Sequence, residues 1–163
     1  MAVENKYVDS NIVAGKKSLI GGAGQEIVAY AVTFETAAAD DDGSVYRIIK
    51  GIPSNLIPYQ ITICCDAITS GTSWDLGVYK TDLGAVVDKD ILMATQTLAS
   101  ALTRATGHQL GLGAVNVDKV GATLATLSGQ TVPDDSYDLA LTANTVGSAA
   151  GTISVLAEFL VSA

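Results

Sequence analysis

A chain of 163 residues has room for one domain with a proper core, since at that size about 70% of the unfolded chain's surface is buried on folding. The composition, 48% hydrophobic and only 16% charged, falls short of the roughly 25% charged residues of an average domain, so part of the surface is expected to meet protein, while no apolar run reaches the roughly 18 residues of a membrane-spanning helix. Nine Lys and Arg against seventeen Asp and Glu give a formal charge of −8 without the basic clusters that release counterions from phosphates, which argues against nucleic acid and membrane as partners.

The first residues, Met1-Ala2-Val3-Glu4-Asn5-Lys6, place an acid early and lack the apolar stretch of a secretory signal, so synthesis and assembly in a cytoplasm are expected. Residues 1–25 hold four glycines and no sustained period and read as an extended N-terminal arm ahead of a domain at 26–163. Its few apolar side chains cannot offset an ordering cost of about 1–2 kcal/mol per residue. A neighbouring copy or a different protein is therefore expected to hold the arm through Tyr7, Val8, Ile12 and Val13, with packing on their own domain as the alternative.

From Glu26 the period is two: Val28, Tyr30, Val32 and Phe34 share one face, and Ala29, Ala31, Thr33 and Glu35 the other, which predicts a half-buried strand. Asp40-Asp41-Asp42-Gly43 reads as a polar turn, and the β-branched stretch from Ser44 to Ile52 as a second strand. A loop from Pro53 to Pro58 precedes the clearest alternation, Tyr59, Ile61, Ile63 and Cys65 against Gln60, Thr62, Cys64 and Asp66. After the turn Ser70-Gly71-Thr72-Ser73, a fourth strand sets Trp74, Leu76 and Val78 against Asp75, Gly77 and Tyr79. Thr81-Asp82-Leu83-Gly84 turns the chain into Ala85-Val86-Val87, and Asp88 to Leu102 has no firm pattern.

Val117, Val120, Leu124 and Leu127 recur at helical spacing, with Asp118 available as an N-cap and Gly129 just past the end, which predicts one short helix. Beyond Pro133, Tyr137, Leu139 and Leu141 alternate, and after Asn144 to Ala150 so do Ile153, Val155, Ala157, Phe159 and Val161, read as a C-terminal hairpin. Six or more short strands, glycine-rich turns and a single helix predict an all-β protein, an antiparallel β-sandwich of jelly-roll type.

No catalytic constellation emerges, and the chain reads as a non-enzyme without a cofactor. The sole histidine, His108, stands beside no nucleophile motif. Gly21-Gly22-Ala23-Gly24 and Gly111-Leu112-Gly113 complete no phosphate-binding fingerprint, and Gly15-Lys16-Lys17-Ser18 lacks the earlier glycine that a P-loop requires. Asp40 to Asp42, Asp88 with Asp90, and Asp134-Asp135 could offer oxygens to a hard cation but match no complete calcium loop, so they read as solvated turns with no metal. Trp74 reads as core rather than as a sugar platform. Cys64 and Cys65 are neighbours whose side chains point to opposite faces of a strand, so they read as buried free thiols.

Trp74-Asp75-Leu76-Gly77-Val78-Tyr79-Lys80, followed by Gly84 to Leu92, resembles a pattern of small tailed-phage virion proteins that decorate or cement the head. Ser136 to Thr142, then Ala149 to Val155, is similar to the closing hairpin of that group. The resemblance covers roughly the second half of the chain; the stretch Val117 to Leu127 departs from it in lacking an aromatic, and the Asp40-Asp41-Asp42 turn has no counterpart. It implies a homotrimer on the outer surface of a phage capsid that bridges neighbouring major capsid protein subunits, with the virion as its location. The alternative is a head- or tail-fibre component that binds host-surface glycans.

Overall fold

Nearly every alternating stretch of the sequence is a strand in the computed structural model, which describes residues 3–7, 19–22, 25–103, 109–110, 119 and 121–161. The strands are β1 (Asn5–Tyr7), β2 (Leu19–Gly22), β3 (Gln25–Thr36), β4 (Ser44–Pro53), β5 (Leu56–Cys65) and β6 (Ser73–Tyr79). After them come β7 (Val86–Gln96), β8 (Gln109–Leu110), the one-turn helix α1 (Leu124–Leu127), β9 (Ser136–Thr145) and β10 (Gly151–Val161). They form two five-stranded sheets, the first in the order β1-β4-β9-β6-β7 and the second β2-β3-β10-β5-β8. Long-range pairing is nested: β3 pairs β10, β4 pairs β9, β5 pairs β8 and β6 pairs β7, all antiparallel.

The sheets bury their facing sides against each other, as the alternation requires. A stack of rings crosses the core: Phe34 of the second sheet lies 5.5 Å from Tyr46 of the first, and Tyr46 lies 5.7 Å from Trp74. Ile61, Ile63, Leu139, Leu141, Val155 and Phe159 fill the space around it. Within residues 1–25, β1 and β2 each take the edge of a sheet, β1 parallel to β4 and β2 antiparallel to β3, so backbone groups on those edges gain partners.

Several expectations need correction. No loop spans Pro53 to Pro58: both prolines lie in strands, linked by Ser54 and Asn55 alone. Proline is tolerated at both places because Pro53 ends β4, and Pro58 faces Phe159 where the β5–β10 register slips past Tyr59, leaving that ring 54% exposed. The two C-terminal strands are not a hairpin, for β9 pairs with β4 and β6 whereas β10 pairs with β3 and β5. Periodicity reveals which face of a strand is apolar and is silent on which sheet receives it. The helix is confined to Leu124–Leu127, with Thr123 as its N-cap; Asp118 lies outside the described residues. Gly129 does follow its end, at φ +65°.

The unassigned stretch after Asp88 is most of β7. Val78 pairs with Asp88 and Leu76 with Met93, so Lys89 to Leu92 form a wide bulge opposite Gly77. A Cβ at Gly77 would collide with the Asp88 carbonyl and the Lys89 backbone. Gly77→Ala is accordingly expected to push β7 away and cost about 1–3 kcal/mol, read from the shift in the urea midpoint.

Candidate assembly surfaces

The outward side of the first sheet is sealed by its own chain. Asp75 and Tyr79 on β6, and Asp138 and Thr142 on β9, alternate with the core residues and so lie on the sheet's other side, yet all are buried. Their cover is the β7 bulge, the turn at 80–84 and β1. Beneath it Arg47, fully buried, pairs with the equally buried Asp138 at 3.0 Å. Its other bonds reach the Lys80 carbonyl at 2.7 Å, the Gly84 carbonyl at 2.5 Å and Asn5 Oδ1 at 3.0 Å, and its guanidinium lies over the Tyr79 ring at 5.0 Å. Asp138 Oδ1 accepts from the Gly51 amide at 3.0 Å. Buried charge is tolerable only when paired and hydrogen-bonded in this way.

Tyr7, for which both a neighbour and its own domain were open as partners, donates its hydroxyl to Asp138 Oδ2 of its own chain at 2.8 Å. Burial and the adjoining carboxylate push its phenol pKa up. Val8, Ile12 and Val13 lie outside the described residues. The Arg47–Asp138 network escaped sequence reading. Its one signal was an arginine set between Tyr46 and Ile48 within an apolar strand.

Of the carboxylate clusters, Asp40 to Asp42 is more than a solvated turn. Asp40 is 7% exposed and accepts from Tyr46 Oη at 2.6 Å and Lys6 Nζ at 3.3 Å, while Asp42 accepts from the Val146 amide at 2.9 Å. Burial, then the Asp90 carboxyl, raises the Asp88 pKa. A carboxyl that holds its proton more tightly folded than unfolded destabilises the fold once ionised, so this contribution eases as pH falls through the raised value. Asp88→Asn is expected to increase stability near neutrality and to flatten the acid-side dependence of stability on pH, measured by urea titration at each pH.

Among the described residues no three His, Cys, Asp or Glu side chains gather to hold a metal ion, and no helix is long and apolar enough to cross a membrane. His108 lies outside the described residues. Trp74 is core, fully buried against Tyr46. Both thiols are free; Cys65 is buried, but Cys64 is only half-buried, facing outward from β5.

The outward side of the second sheet is different. Between β3, β10 and β5 lies a shallow hollow of about 500 Å³ lined by Ala31, Thr33, Gln60, Thr62, Ser154 and Leu156, among others. No described part of the chain folds across these residues, which are half-buried or exposed. One polar link crosses it, Thr33 Oγ1 to Ser154 Oγ at 2.8 Å.

No family model and no curated protein matches the sequence. Solved structures do match in fold. A chain of the capsid of Ralstonia phage GP4 is similar over 97% of this chain and 99% of its own, with a TM-score of 0.57 at 14% identity. A chain of the cyanophage Pam1 capsid asymmetric unit is similar over 94% of this chain and 98% of its own, with a TM-score of 0.56 at 12% identity. The sandwich is thus a fold found within phage capsids, shared from end to end.

Proposed function

We propose that this chain is a structural virion protein, not an enzyme, that binds the outer surface of a phage capsid and stabilises contacts between major capsid protein subunits. The observation that carries the reading is the end-to-end likeness to a chain of the Ralstonia phage GP4 capsid, with neither chain leaving a large segment unmatched. The nested strand pairing, read as a jelly roll, supplies a stiff two-layer body suited to such a part. The likeness to head-decorating proteins falls on Trp74 to Lys80, Gly84 to Leu92, Ser136 to Thr142 and Ala149 to Val155, which hold nearly all of β6, most of β7 and β9, and the start of β10. On this reading the chain is made in the host cytoplasm and joins the shell as a homotrimer, so that many copies on a closed lattice each contribute several contacts.

Glycan binding is less well supported, because sugar platforms are built from several exposed aromatic rings. Tyr59 is the one aromatic among the exposed large apolar residues of the described chain. Mixing the purified protein with bare heads decides between the readings. Saturable co-sedimentation and a higher temperature for head rupture are expected; binding to cell-surface sugar with none to heads would reverse the order.

A further inference from the structure

The two outward faces of the sandwich are chemically opposite. The first sheet's side carries Lys6, Arg47, Lys50, Lys80 and Lys89, each already paired with a carboxylate of its own chain. Strands β3, β5 and β10, adjacent in the second sheet, contain not one Lys or Arg. Register lines their outward residues into rows: Ile27, Leu160 and Ile57 at one end, then Ala29, Glu158 and Gln60, then Ala31, Leu156 and Thr62, then Thr33, Ser154 and Cys64. The face grades from apolar to polar, and its carboxylates Glu35 and Glu158 have no ion pair among the described residues.

Resting on the capsid-binding reading, we infer that this β3-β10-β5 face is the surface that docks on the shell, and that its occupant is a patch of a different protein presenting Lys or Arg beside apolar side chains. The first sheet cannot offer an equivalent surface, because its outward residues are covered by β1, the 80–84 turn and the β7 bulge. Ala, Ser, Thr and Cys have little side-chain freedom to lose on contact, so the face is ordered at small cost when covered. Glu158 sits between Ala29 and Gln60, where an apolar partner would desolvate it; a cation opposite is what makes that burial tolerable.

A second copy of the chain fits poorly. Face to face, it adds carboxylates to carboxylates and brings no described cation to either. Face to back, it presents lysines that already hold carboxylates of their own.

Cys64 gives a direct test, since it lines the hollow while Cys65 is buried. Alkylation of Cys64 by N-ethylmaleimide is followed by mass spectrometry on the free protein and on the protein bound to bare heads. A slowing of at least about tenfold on heads is expected, with none on raising the concentration of free protein. Glu158→Lys and Leu156→Lys are expected to weaken head binding at least about tenfold, whereas Asp90→Lys, the same charge change as Glu158→Lys on the exposed part of β7, binds as the parent does. Unchanged Cys64 reactivity on heads, or parental binding by both face variants, overturns the inference while leaving capsid binding in place. Slowing with concentration alone assigns the face to a second copy and overturns it too. If the parent protein fails to bind heads at all, the functional reading falls and takes this inference with it.

Discussion

Arg47→Met is expected to lower stability by about 3–5 kcal/mol, the cost of leaving a buried carboxylate without its counter-charge. Asp138 has no exposed surface, so water cannot replace the guanidinium. The loss also frees the Lys80 and Gly84 carbonyls at the turn and Asn5 Oδ1 at β1, so these two of the first sheet's three covers should loosen together. Adding Asp138→Leu is expected to restore part of the loss, because removing both charges ends the mismatch. Recovery stays incomplete, since the Gly51 amide and the Tyr7 hydroxyl lose their acceptor. Urea unfolding of the two variants with a common slope measures both values. An Arg47→Met variant within about 1 kcal/mol of the parent would mean that the pair is open to solvent.

Trp74→Ala is expected to cost about 3–5 kcal/mol as well, through a cavity in place of a lost charge. The indole is fully buried and holds the end of the stack that links Phe34 of one sheet to the other through Tyr46. Its Nε1 has no hydrogen-bond partner among the described residues. Trp74→Phe removes no hydrogen bond, then, and should cost much less than the truncation, which circular dichroism melts of the two variants will compare. Equal losses would place the indole's contribution in polar contact, against the packing described above.

Much of the fold was legible because a strand with one buried face writes a two-residue period into the chain, and β3, β5, β6, β9 and β10 each carry it. The period stops short of three things. It cannot say that β9 and β10 belong to different sheets, because both have an apolar face to bury. It cannot tell that Asp75 and Asp138 are buried, since a charge satisfied by Lys89 or Arg47 leaves the same letter as a charge in water. It loses β7, where Lys89 to Leu92 bulge out of register. Tyr7 could be singled out as an aromatic in a sparse segment, but its partner Asp138 lies far along the chain and only the folded structure joins them. The want of Lys and Arg in Gln25–Thr36, Leu56–Cys65 and Gly151–Val161 can be read in the sequence; that these segments lie side by side cannot.

Attachment to a capsid is tested most directly by cryo-electron microscopy of phage heads reconstituted with the purified chain. The expected map shows added density on the outer surface that fits the two-sheet body and touches more than one major capsid subunit. Heads indistinguishable from bare shells at saturating protein, or density confined to a fibre, would contradict it.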